Sequence, residues 1–258
     1  MSTIISRIED GVGVIQLNRP KVFHSFNQEM AFDCQKAFQE FSNNPEVRCI
    51  YLTGEGKAFC AGQDLAEATD PNGPELRSIV REHYNPIIKL MRTIEKPVVS
   101  GVNGVAAGAG ANIALAADIV VAKESASFIQ AFSKIGLIPD SGGTFILPRL
   151  IGFQKASALM MLADNIDAKE AERLGMIYAY YQDDEFDEAA MKLCKKVAKM
   201  PTKGLGLTKR ALNLSLTNDL DAQLNVEEDI QAIAGVTYDC KEGIQAFLEK
   251  RKPIFKGE

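Results

Sequence analysis

The sequence predicts an α/β fold with largely parallel strands followed by a helical region, and three observations carry that expectation. Short runs rich in β-branched residues alternate with segments of helical period as far as Ile138, glycines close the strands, and from Gly142 onward the apolar pattern is mainly helical. VGVIQLNRP is a strand stopped by Pro20, and Gln28 to Phe41 carries Met30, Ala31, Cys34, Ala37, Phe38 and Phe41 at helical spacing. CIYLTGEG repeats the strand signal and closes on Gly54 and Gly56; a looser polar region from Glu67 to Glu75 precedes a helix around Leu76 to Thr93. PVVSGV begins a third strand, Gly104 to Gly110 form a glycine-rich turn, ANIALAA is a short helix and DIVVA a fourth strand. TFILPRLIG, FQKASALMMLA, AKEAERLGM and DEFDEAAMKLCKKVAKM continue as helices up to a junction at Pro201. TKGLGLTKRALNLSL, DLDAQLNVEEDIQAIAG and YDCKEGIQAFLEKR then supply amphipathic helices whose apolar faces suit subunit packing.

Composition narrows the function classes. The chain of 258 residues is 46% hydrophobic and 24% charged, which suits an ordinary globular core and excludes a disordered or collagenous chain. A net charge of -5 leaves no global basic field for nucleic acid or an anionic membrane. Cys34, Cys49, Cys60, Cys194 and Cys240 form an odd set without CxxC pairs or metal-ligand spacing, as expected in a reducing cytoplasm. The N-terminus lacks the pattern of a secretory signal. The apolar stretch Val98 to Ala122 is interrupted by Asn103, Asn112, Asp118 and several glycines, so it is expected to be buried core and not a membrane span. Two histidines, His24 and His83, make a thin supply for His-based catalysis.

Two glycine turns are the candidate chemical features. VNGVAAGAGANIALAAD places Gly104, Gly108 and Gly110 between a strand and a helix, where free N–H groups face whatever approaches the helix start. Gly108 and Gly110 match the first two positions of a dinucleotide fingerprint, but Ile113 holds the third and the helix is short. Tight strand and helix packing would also account for the glycines. KAFCAGQDL is a second glycine-containing turn directly after a strand, and two such turns can aim two backbone N–H groups at one oxygen, which is an oxyanion hole. Asp140, ahead of Ser141, Gly142 and Gly143, has the sequence context of a helix N-cap. Cys60 has no basic partner nearby and is expected to be a small buried residue, and Ser141 lacks the surroundings of a hydrolase nucleophile.

LNRP, KAFCAGQDL, KPVVSGVNGVAAGAG, DIVVA, GLIPDSGGTFILPRLIG and KEGIQAFLEKRKPIF occur in this order over nearly the whole chain, and together they resemble the enoyl-CoA hydratase/isomerase (crotonase) superfamily. YNPIIKLM, GVAAGAGA, FIQAFSKIGLIPDSGG and FCAGQDL are especially similar to members that isomerise a ring-epoxidised phenylacetyl thioester. The resemblance implies a spiral of ββα turns over residues 1–200, a helical oligomerisation region over 201–258, and a homotrimer or dimer of trimers. It also implies an acyl-CoA thioester substrate, no further cofactor and no metal.

Carried over by position, the oxyanion N–H donors are those of Gln63 and Ala109, the latter helped by the dipole of the helix it opens. Phe59 to Leu65, with Cys60, Ala61, Gly62, Asp64 and Leu65, would lie against CoA, and Gly108, Asn112 and Phe132 would line the substrate site. The two glutamates with which hydratases activate water correspond to Asn112 and Phe132, so both carboxylates are absent. An amide and a phenyl ring cannot activate water as two carboxylates do. Asp140 stands where the family's isomerases keep a single acid/base carboxylate, which outweighs the N-cap expectation; Phe132, Ile138, Pro139 and Phe145 would raise its pKa if they face it. Lys250, Arg251 and Lys256 would be either a solvated tail or contacts to CoA phosphates. The expected activity is therefore an acyl-CoA isomerase working through a thioester enolate. The alternatives are an enoyl-CoA hydratase and a noncatalytic acyl-CoA-binding oligomer. Ala66 to Val80 is the segment expected to shape the acyl pocket.

Overall fold

The structure is a computed structural model that describes residues 2–258. The chain opens with β1 (Ile4–Glu9) and β2 (Val12–Leu17), an antiparallel pair, and α1 (Gln28–Asn43). Three ββ units follow: β3 (Cys49–Gly54) with β4 (Ala58–Cys60), β5 (Val98–Val102) with β6 (Val105–Ala107), and β7 (Ile119–Lys123) with β8 (Ser127–Ile129). Between the first two lie α2 (Leu65–Ala68), α3 (Leu76–Ser78), a π-helical turn Ile79–Tyr84 and α4 (Asn85–Thr93). α5 (Ala109–Leu115) separates the second and third, and a 3₁₀ turn Ala131–Ile135 leads to α6 (Gly143–Ile151) and α7 (Phe153–Leu162). The chain continues through β9 (Asn165–Asp167), α8 (Ala168–Arg173), β10 (Ala179–Tyr181), α9 (Phe186–Ala198), α10 (Thr202–Ser215), α11 (Leu220–Gly235) and α12 (Tyr238–Leu248).

Each ββ unit delivers its first strand to a six-stranded sheet, ordered β1-β2-β3-β5-β7-β10, and its second to a four-stranded sheet, ordered β4-β6-β8-β9. The pairings β2–β3, β3–β5, β5–β7, β7–β10, β4–β6 and β6–β8 are parallel. The inner strands β2, β3, β5 and β7 of the larger sheet are mostly buried on both faces, while the edge strand β1 is largely exposed. On one face Ile15, Ile50, Leu52 and Val98 pack with Met30, Ala31, Cys34, Ala37, Phe38 and Phe41 of α1 in the main core. On the other, Val14, Cys49, Tyr51, Val99 and Val121 meet Phe186, Ala190, Cys194 and Ala198, one stripe of α9 at four-residue spacing.

The sequence pattern misses six strands: β1 precedes the first strand it identifies, and β4 lies in KAFC, read only as the approach to a turn. β6 lies inside the expected glycine-rich turn, β8 follows DIVVA, and β9 and β10 interrupt the mainly helical part. β4, β6, β8, β9 and β10 are three residues each, too short for a period of two to emerge. The expected helix over Leu76 to Thr93 is present, with the π-helical turn inserted in it.

The C-terminal helices are tied to the sheet core by polar contacts. The Arg48 guanidinium donates to Thr202 Oγ1 at 2.8 Å, to the Met200 carbonyl at 2.6 Å and to the Phe255 carbonyl at 2.8 Å. Lys209 of α10 is buried and meets Asp118 at 2.8 Å. α11 has no buried residue, and Leu220, Leu224, Ile244, Phe247 and Leu248 of α11 and α12 are exposed.

Candidate active site

The two glycine turns converge. Gly62 has φ +95°, and a Cβ built on it would lie 2.9 Å from the Ala107 carbonyl oxygen and 3.6 Å from the Ala109 nitrogen. Only a residue without Cβ therefore lets the turn after β4 reach the start of α5. The other side of this turn is held by Phe26: its N–H donates to the Gly62 carbonyl at 2.7 Å and its carbonyl accepts the Asp64 N–H at 2.8 Å. Successive N–H groups of an extended chain point to opposite edges, so this pairing turns the Gln63 N–H away from Phe26. Ala109 is the first residue of α5, and its N–H has no helical acceptor by position. Neither N–H donates to an acceptor among the described residues.

Side chains brace the turn. The Tyr84 hydroxyl donates to Gln63 Oε1 at 2.6 Å, from a fully buried ring set edge-on to Phe26. Arg19 of LNRP pairs with Asp64 at 2.8 Å and donates to the Ser25 carbonyl at 2.5 Å. Asp64, expected against CoA, also accepts the Ala66 N–H as the N-cap of α2. Tyr84 opens YNPIIKLM and ends the π-helical turn, which brings its hydroxyl to Gln63.

Asp140 lies between the 3₁₀ turn and α6 and does not cap the helix. Gly142, at φ +73°, takes the cap position, and Ser141 before it is also left-handed at φ +50°. The Asp140 carboxylate instead accepts the Ser141 hydroxyl at 2.9 Å. Burial raises its pKa above the usual carboxylate value, and the Ser141 hydrogen bond offsets part of that rise. Burial pushes the Tyr84 hydroxyl well above its usual pKa. Ile138, expected as part of the apolar surround, is 80% exposed, and Phe145 is exposed as well.

The model of the enoyl-CoA hydratase/isomerase family matches residues 7–258. The chain belongs to that family. It is 45% identical to the 1,2-epoxyphenylacetyl-CoA isomerase of Escherichia coli (strain K12) over all of both chains. It is 33% identical to the crotonyl-CoA hydratase of Syntrophomonas wolfei, covering 98% of this chain and 97% of that one. An enoyl-CoA hydratase from Bacillus anthracis superposes with a TM-score of 0.92 at 32% identity, covering 99% of this chain and all of the other. Family membership makes the chain a CoA-thioester enzyme with the crotonase fold, and the dinucleotide alternative falls away.

The remaining candidates sort by their partners. Asn112, expected to line the substrate site, is 1% exposed, and its amide is taken up by Gln130 and by the Asp140 main chain. Phe132 is buried beside Gly108, with its ring edge 3.8 Å from where a Cβ there would point. Cys60 is buried, accepts the Gly62 N–H on its sulfur at 3.4 Å, and burial pushes its thiol up to about 12. Ala61 and Leu65 are exposed. His24 is buried, with Nδ1 accepting the Arg19 N–H and Nε2 bonded to the Glu55 carbonyl, so it braces the turn beside LNRP. His83 packs against Phe32. Arg251 is paired with Glu242 and Glu249, and Lys256 sits over the Tyr238 ring. Among the described residues no group of three His, Cys, Asp or Glu could hold a metal, and no helix is long and apolar enough to cross a membrane.

Proposed function

We propose that the protein is an acyl-CoA isomerase that uses Asp140 as its single acid/base. Its substrate on this reading is a ring-epoxidised phenylacetyl-CoA rearranged to the seven-membered oxepin, in phenylacetate breakdown, with 3-enoyl to 2-enoyl shifts as related chemistry. The observation that carries it is a half-buried carboxylate of raised pKa, its segment tied through Asn112 to the helix that opens with Ala109, together with two convergent, unengaged N–H groups and with an amide and a phenyl ring where hydratases keep glutamates. The thioester carbonyl accepts hydrogen bonds from Gln63 and Ala109. For a 3-enoyl thioester, ionised Asp140 then takes a proton from the acyl chain, leaving the electron pair delocalised on the enolate. The two donors favour that charge more than the ground-state carbonyl. Protonated Asp140 returns the proton at a different carbon, and the double bond has moved. No metal or redox cofactor is needed, because CoA is part of the substrate.

The exposed apolar faces of α11 and α12 support a homotrimer or pair of trimers, and the free cysteines support a reducing cytoplasm. Offering 3-enoyl-CoA, epoxidised phenylacetyl-CoA and crotonyl-CoA side by side tests the function, with products identified by mass and ultraviolet absorbance. Isomerised products that vanish in Asp140→Asn are expected; isomerisation at an unchanged rate in that variant overturns the proposal. The hydratase relatives favour a second reading, which water addition to crotonyl-CoA as the main activity would establish. A chain that binds thioesters yet exchanges no α-protons with deuterated water would be a noncatalytic binder.

A further inference from the structure

Asn112 sits at the centre of a buried hydrogen-bond chain that ends on the Asp140 main chain. Its Nδ2 lies 2.9 Å from the Asp140 carbonyl oxygen, and its Oδ1 lies 2.8 Å from Gln130 Nε2. A main-chain carbonyl can only accept, so the Asn112 atom facing it must be the amide nitrogen, and the atom facing Gln130 must be the oxygen. Gln130 must then donate. Its Oε1 is left buried without a partner among the described residues, in a side chain 2% exposed. Turning the Gln130 amide over would set oxygen against oxygen at Asn112 and leave the acceptor still without a donor. The chain is therefore held in one polarity.

The chain also joins the two halves of the site. Asn112 and Ala109 stand three residues apart on α5, so one short helix presents the oxyanion donor and grips the segment that carries Asp140. The same Asp140 carbonyl accepts the Gly143 N–H at 2.8 Å, and the next two residues are both left-handed. Packing leaves no slack: a Cβ on Gly143 would lie 2.3 Å from Asn112 Nδ2.

We infer that Asn112 and Gln130 are positioning residues for Asp140, and that a hydrogen-bond donor at position 112 commits the site to single-carboxylate isomerisation. This inference rests on the isomerase reading above. A carboxylate at 112 would face the Asp140 carbonyl with an acceptor and push the segment away from the α5 donor. A displacement of about 1 Å is enough to lower turnover about a hundredfold.

The test uses the full-length protein with a 3-enoyl-CoA. Asn112→Asp, nearly isosteric but without the donor, is expected to lower kcat tenfold to a hundredfold, on the order of the loss such a displacement causes, with KM little changed. Its acid limb moves to higher pH, because a second carboxylate near Asp140 raises that pKa. Gln130→Glu reverses the polarity while leaving Asn112 in place and is expected to lower kcat in the same way, so a folding failure of the first variant leaves the second to decide. Wild-type kcat in the variant that folds overturns the inference, as does a loss confined to KM or to melting temperature. Asp140→Asn, measured beside them, separates the two levels: if it keeps isomerising, the isomerase reading itself fails. If it is inactive while Asn112→Asp and Gln130→Glu turn over normally, only the positioning role fails.

Discussion

On the proposed reading, the oxyanion half of the site is made of main chain, and the proton half depends on one side chain. Gln63 and Ala109 contribute N–H groups whose direction is set by Phe26, Gly62 and the start of α5, so their side chains have no chemical duty at the hole. Asp140 contributes a carboxylate whose environment sets its pKa and whose segment is held by Asn112, Ser141 and Gly143. The main-chain half should tolerate side-chain change and fail when backbone geometry or the N–H itself is altered. The proton half should respond to single atoms.

Asp140→Asn should have the largest effect, since removing a general acid/base costs about 10² to 10⁴ in rate, read as kcat for the double-bond shift. Substituting Ala109→Pro should come next, with a loss of about 10² to 10³ in kcat for one missing oxyanion donor. Proline is tolerated at the first position of a helix, so circular dichroism should show the fold retained while activity falls; undiminished turnover would remove Ala109 from the hole. Ser141→Ala should leave the plateau rate nearly intact and move the acid limb of the pH profile upward. Asp140 acts as a base only when ionised, so activity falls as pH drops through its raised pKa, and loss of a hydrogen bond to the ionised form raises that pKa further. An unmoved limb would show that Asp140 is not the titrating base. Tyr84→Phe should be mildest, with about 0.5 to 1.5 kcal/mol of stability lost in chemical denaturation and a small decrease in kcat, because Gln63 keeps its N–H and its pairing with Phe26.

Much of this was legible in the chain because some residues act through local pattern. The α1 stripe from Met30 to Phe41 is spaced as a helix buries it, and every one of those side chains is in the core. The turns at Gly62 and Gly108 announce themselves because a positive φ selects glycine. Asp140 was legible through resemblance, whereas its local context pointed to a cap it does not make. Gln130 and Tyr84 lie in two of the segments that carry the resemblance, yet no local pattern marks what they do: both matter only through partners distant in sequence.

The sequence by itself determined the longer helices, the four strands β2, β3, β5 and β7, and the two glycine turns. Periodicity, glycine tolerance and residue chemistry are properties of a few consecutive residues. Only the tertiary structure decided that the turn after β4 meets the start of α5, and that Tyr84 braces one donor. It also decided that an amide chain from Gln130 through Asn112 reaches Asp140. Those relations depend on how parallel strands cross over and on which donor meets which acceptor in the buried interior, and no local stretch of chain contains that information.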